Sequence, residues 1–127
     1  MARTLRLGIA AISAASLIAT ARPALAQPAV QSEGPCSGTS TFFLEVRQRD
    51  VEHIRLEFDV DEGITGHRWQ VKITDNGITI DREVKVTTGG GSFKVERYRP
   101  DLDGPDTVVA TALNQATGET CTGQVTF

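Results

Sequence analysis

The sequence predicts an all-β protein, an antiparallel sandwich of seven to eight short strands closed by one disulfide. Three observations lead there. Beyond residue 38 the apolar residues recur with a period of two. The runs they mark are separated by Gly, Asn, Asp and Pro turn signals. The only two cysteines, Cys36 and Cys121, flank that region. No stretch carries a sustained 3.6-residue period or a pair of helix caps, which argues against a helical domain.

The chain opens in the manner of a secretion signal. Arg3 and Arg6 form a short positive region, residues 7–21 are apolar, alanine-rich and uncharged, and Ala24-Leu25-Ala26 presents the small-x-small pattern that signal peptidase reads. The apolar run is about 15 residues, short of the ~20 that span a bilayer. Residues 1–26 are therefore expected to be a signal peptide removed after Ala26, and the protein to be secreted and extracellular, without membrane insertion. About 100 residues remain, enough for one small domain. Residues 27–38 hold Pro28, Ser32, Gly34, Pro35 and Gly38 with little apolar content, and read as a flexible leader. Residues 39–127 form the expected sandwich.

The strands follow in order. Phe42, Leu44 and Val46 alternate with Phe43, Glu45 and Arg47; Ile54, Leu56, Phe58 and Val60 with Arg55, Glu57 and Asp59; Trp69, Val71 and Ile73 with Gln70, Lys72 and Thr74. Each set has one face for a core and one for water. Asp75-Asn76-Gly77 is a hairpin signal, since Asn-Gly readily adopts the positive φ of a tight turn. It is expected to lead into a strand at Ile78-Thr79-Ile80, with a separate strand at Val84 and Val86 ended by Gly89-Gly90-Gly91. Phe93 and Val95 begin another, residues 101–106 turn, and Val108, Ala110 and Ala112 precede a last strand containing Cys121, Val125 and Phe127.

The cysteines lie in the part expected to be exported, where oxidation is permitted, and two cysteines allow one intramolecular pairing. That bond closes a loop of roughly 85 residues, for which chain entropy suggests ~4–5 kcal/mol. Neither cysteine sits in a CxxC pair or near a histidine, so a metal or redox role is set aside. The net charge is −3, and loss of Arg3, Arg6 and Arg22 with the signal takes it to −6. Cations scattered along an acidic chain do not suit nucleic acid, which needs clustered Lys and Arg, or an anionic membrane surface.

Several of these residues resemble the immunoglobulin-like pattern. Phe58 precedes Trp69 by a spacing like that between the second-strand cysteine and the core tryptophan of such domains, and the run from Leu102-Asp103-Gly104 through Val108, Ala110, Ala112 and Asn114 resembles their sixth strand. The resemblance implies a core built on Phe58, Trp69 and Ala110, with Phe58 and Ala110 in place of the two cysteines and Val108 in place of the corner tyrosine. Cys36 and Cys121 then pin the terminal strand instead of bridging the sheets at the centre. With Gly66 to Trp69, the Asn76-Gly77 hairpin and the Gly118-Glu119-Thr120-Cys121 ending, the chain also resembles small secreted proteins of unknown function from high-GC Gram-positive bacteria.

Catalytic residues are not indicated. His53 and His67 are the only histidines, no G-x-S-x-G or metal-spaced histidine pair occurs, and no cysteine is expected to be free. Asp101, Asp103 and Asp106 surround Gly104 with oxygen ligands of the sort a calcium ion takes, but the EF-hand order is missing. Aspartates in turns also bond their own backbone, so no metal or cofactor is expected to be held tightly there unless Asp59, Asp61 or Glu62 converge on them. Trp69 is in phase with the core. Phe43 opposes the core parity of its strand and is the candidate exposed contact. The glycine triplet reads as a flexible connection.

The sequence thus points to a non-enzymatic binding module, monomeric, with an extracellular protein or surface glycan as partner. A small-ligand carrier or a calcium-dependent adhesion module is the alternative. The loops 61–66, 75–77, 89–92 and 101–106 are the expected recognition elements.

Overall fold

The computed structural model describes residues 15–19 and 28–127; the arginines and cleavage site of the expected signal peptide, residues 1–26, lie outside the described residues. Eight strands and no helix occur among those described: Ala29–Pro35 (β1), Thr41–Gln48 (β2), His53–Asp61 (β3), Arg68–Asp75 (β4), Ile78–Val86 (β5), Ser92–Pro100 (β6), Thr107–Asn114 (β7) and Thr120–Thr126 (β8). They form two four-stranded sheets, β1-β2-β3-β6 and β5-β4-β7-β8, with every pairing antiparallel.

The alternation in β3, β4 and β7 builds the core directly. Leu44, Val46, Ile54, Leu56, Phe58, Val60, Phe93 and Val95 from the first sheet meet Trp69, Val71, Ile73, Val108, Ala110, Ala112, Cys121 and Val125 from the second. Phe93 packs edge-on to Phe58 with centroids 6.5 Å apart and lies 6.0 Å from Trp69, so one aromatic cluster ties the sheets together. Small residues set its outer limit. Ala110 pairs with Gly123, and a Cβ on Gly123 would come within 2.8 Å of the Phe42 ring. The missing side chain is what lets Phe42 fold in from β2 against β8.

Two expectations about strands need correction. Residues 29–35 are not a flexible leader but β1, paired with β2 from Ala29 opposite Arg47 to Pro35 opposite Thr41. An edge strand needs main-chain pairing on one side only, so it carries little apolar signature; Val30 alone packs against the core, and Pro35 is tolerated at the edge. Residues 78–80 and 84–86 likewise belong to one strand, β5, because Asp81, Glu83 and Lys85 continue the inward parity opposite Ile73, Val71 and Trp69. These charged side chains remain tolerable because they lie at an open flank, where the Arg97 guanidinium of β6 bonds Asp81 at 3.2 Å and also Glu83.

The opposite flank is closed covalently. Cys36, just after β1, is bonded to Cys121 of β8 with Cα atoms 4.4 Å apart, and no cysteine is free. Ser37 N–H donates to the Thr120 carbonyl at 2.8 Å, and the buried Ser40 hydroxyl donates to Glu119 at 2.5 Å. Each flank of the sandwich thus has its own fastener, ionic between β5 and β6 and covalent beside β8.

Native protein should titrate no free thiol. The Cys36→Ser/Cys121→Ser double variant should lose about 2–4 kcal/mol, read as a melting temperature lower by many degrees; an unchanged melting temperature would contradict this role.

Candidate functional site

The first polar cluster sits at the end of the sandwich where β4 begins. The Glu62 carboxylate is 4% exposed and uses both oxygens: it pairs with His67 Nδ1 at 2.5 Å, and accepts from Trp69 Nε1 at 3.0 Å and from the Asn114 amide at 2.8 Å. Asn114 in turn accepts from the Ala116 and Thr117 amides and caps the turn before β8. The group is a satisfied buried network that joins three segments, and no nucleophile stands within it. His67 is partly exposed there, and Trp69 is fully buried. Sequence reading named Glu62 only as an acid that could join the 101–106 aspartates; its actual partners come from the segment before β4, from β4 and from β7. His53 lies elsewhere, exposed and bonded to Asp50 at 2.8 Å.

The glycine triplet at this end is not a loose connection. Glu62 and Gly63 amides both donate to the Gly91 carbonyl, at 2.9 and 3.1 Å. Gly91 has φ +91°, and any Cβ there would collide with the Gly63–Ile64 backbone. The close approach that glycine permits is made by the protein's own 61–66 turn.

The opposite end gathers aspartates. Asp106 is 1% exposed and Asp75, the last residue of β4, is 6% exposed. Burial, then the nearby carboxyls of Asp75 and Asp101, push the Asp106 carboxyl up to about 6. Of the three acids singled out in the sequence, the fold brings Asp101 and Asp106 together and leaves Asp103 exposed in solvent. Asp59, Asp61 and Glu62 do not converge on them, because the end of β3 lies beside the start of β6, at the other end of the sandwich. Among the described residues, no group of three or more His, Cys, Asp or Glu side chains is arranged to hold a metal ion.

The loops expected to carry recognition divide between the two ends, and the sheets' outer faces lie between them. On the first sheet, Glu45, Glu57 and Glu96 stand side by side across three strands, with Glu33, Asp59 and Asp61 beyond them. The cations on this face are all engaged. Arg47 holds Glu45 at 3.0 Å, Arg55 bridges Glu57 at 2.6 Å and Glu96 at 3.0 Å, and Lys94 reaches Glu57 at 2.9 Å. Burial pushes the Glu57 carboxyl up, but bonds from Lys94, Asp59 and Arg55 outweigh it and hold it down at about 2. Asp59 moves oppositely, to about 7, through burial and the adjoining Glu57. Phe43 is half-buried on this face, opposite Glu33 and Asp59, in a depression walled by Gly34 and Pro35 of β1.

The second sheet's outer face is different in kind. Arg68, Gln70, Lys72 and Thr74 of β4 share it with Arg82, Val84 and Val86 of β5, Val109, Thr111 and Leu113 of β7, and Thr120, Thr122 and Gln124 of β8. It carries no acid. Arg68, Lys72 and Arg82 make none of the ion pairs found among the described residues. Gln70, Lys72, Arg82, Thr111, Leu113 and Thr122 border an open depression of about 470 Å³ at its centre. Sequence reading could not find this face, since its cations are spread over two strands and meet only through the β4–β5 register.

No protein-family model matches the chain, and no curated protein matches it.

Replacing Glu62 by Ala should cost about 2–4 kcal/mol in urea unfolding, because the Trp69 N–H and Asn114 amide would be buried without an acceptor. For Asp59, the folded pKa lies above its ordinary 3.8, so its stabilising contribution is complete below 3.8 and is lost as pH rises through about 7. Asp59→Asn should accordingly be more stable than the parent at pH ~8.5, by about 1 kcal/mol after allowance for partial exposure, and lose that advantage only as pH falls to ~3.5. Unfolding curves at the two pH values test the sign.

Proposed function

We propose that the protein is a non-enzymatic extracellular binding module, that its contact surface is the outer face of the second sheet, and that its partner is an anionic surface glycan bearing carboxylate or phosphate groups. One observation carries this reading. In a chain with more acids than bases, a whole sheet face holds three uncommitted cations and no carboxylate. Lys72 and Arg82 stand directly opposite each other, Thr111 and Thr122 continue the same row across β7 and β8, and Arg68 lies two repeats of the pleat away from Lys72 on β4. Such a surface supplies charge-assisted hydrogen bonds to an extended anion and steers its approach. A carrier for an apolar small molecule would need an enclosed apolar cleft, and this depression is open and bordered by the charged Lys72 and Arg82.

The immunoglobulin-like resemblance also supports a binding role. With β1 set aside, the remaining seven strands fall as β2-β3-β6 against β5-β4-β7-β8, which puts Phe58 on the second strand, Trp69 on the third and Ala110 on the sixth. The fourth strand, β5, stays beside the third instead of crossing to the first sheet as in constant-type domains. That placement is what gives the basic face its width.

The test is retention on an immobilised polyuronate beside neutral dextran, at rising salt. The parent should bind the polyuronate and elute as salt screens the cations. The Lys72→Glu/Arg82→Glu double variant should lose at least about tenfold in affinity with a melting temperature unchanged within about a degree, since both side chains are solvent-facing. Equal retention on dextran, or by the double variant, would overturn the reading.

A further inference from the structure

We propose that Asp75 and Asp106, with Asp101 at the rim, form a low-affinity site for a hard divalent cation, calcium in the first instance, which fastens the 101–106 loop to the β4–β5 hairpin. The sequence alone argues against tight binding in that loop because the aspartates there need help from elsewhere in the chain. The fold supplies it from an unanticipated residue, Asp75.

Three carboxylate oxygens at this end, Asp75 Oδ1 and both Asp106 oxygens, are buried without a hydrogen-bond donor. Among the described residues, no lysine, arginine or histidine makes an ion pair with either residue. Orphaned buried acceptors of this kind are uncommon and ask for a partner. A shared proton satisfies only two of the three oxygens. A divalent ion satisfies all three and removes the mutual repulsion of the carboxylates as well.

The framework around them is already held. The Asn76 side chain donates to the Pro105 carbonyl at 3.1 Å and accepts from the Thr107 amide at 2.8 Å, while its own amide donates to the Thr107 carbonyl at 2.9 Å. The Asp106 amide donates to the Phe127 carbonyl at 2.9 Å. Both carboxylates therefore hang from backbone that is held in place. Asp101 lies near enough to act on the Asp106 carboxyl and is less buried, so it is the ligand free to turn inward.

The chemistry of the donors selects the ion. Only oxygen is present, which favours calcium or magnesium over zinc. Irregular carboxylates completed by water and main-chain carbonyls suit the larger, more tolerant calcium. Because no closed three-ligand cage stands ready among the described residues, affinity belongs in the range of extracellular modules, about 10⁻⁴–10⁻³ M. The site lies at the end of the sandwich and does not depend on the basic face.

Thermal melting of the whole purified chain at pH ~7.5, with about 5 mM calcium chloride, about 5 mM magnesium chloride or excess chelator, tests this directly. Calcium should raise the melting temperature by several degrees over chelator, and magnesium by less. Asp106→Asn should abolish the response and, by removing the repulsion, melt higher than the parent in chelator. If that variant folds poorly, Asp101→Asn should melt like the parent in chelator and need several-fold more calcium for the same rise. Equal melting in calcium and chelator would overturn the proposal, as would a calcium response that survives Asp106→Asn. No calcium response, together with melting that rises as pH falls toward ~5.5, would also overturn it and assign the oxygens to a shared proton.

Discussion

The Trp69 indole lies between the two sheets against Phe93 at 6.0 Å, and an indole buried so deeply brings a polar N–H into the interior with it. Much of one end of the molecule is arranged to answer that single donor. Glu62 accepts from it, and a carboxylate drawn under the surface then needs further donors of its own, which His67 and Asn114 supply. Asn114 spends its oxygen on the turn into β8, close to the disulfide. The Glu62 turn is held over the tryptophan by the Gly91 carbonyl. Packing, a buried acid and two turns are thereby made interdependent, the condition under which a polar network enforces one arrangement of the core.

The contrast with the other end is instructive because the residue types are so similar. Glu62 is buried and fully partnered, whereas Asp75 and Asp106 are buried with oxygens that have no donor. Desolvation acts on both ends alike. What differs is the neighbourhood: an indole, an imidazole and an amide surround Glu62, and other carboxylates surround Asp106. The same cost is met at one end by hydrogen bonds and left standing at the other, where the Asn76 clamp holds the acids in place.

Charge is also sorted by face. A sheet separates odd from even positions, so a chain with mixed charges along its length can present quite different charges on its two outer surfaces. Here the first sheet keeps its cations engaged among carboxylates, and the second leaves Arg68, Lys72 and Arg82 without an acid on their face. Net charge describes neither surface. The flanks show the same sorting, since the inward charges of β5 survive only where Arg97 reaches them.

The amino-acid sequence by itself determined the fold class and the core: period-two alternation names Leu56, Phe58, Trp69, Val71 and Ile73 as inward residues, and Asn76-Gly77 names a turn, because both are properties of neighbouring residues on one strand. It also limited the cysteines to one bond. It misled about β1, which reads as a flexible leader because its pairing is almost wholly main chain, and about β5, whose inward positions are charged. Only the tertiary structure decided that Glu62 meets Trp69, that Asp75 meets Asp106, and that Lys72 stands opposite Arg82. Those meetings depend on strand order and register, which arise from how separate strands pair, and a local pattern carries no record of its distant neighbour.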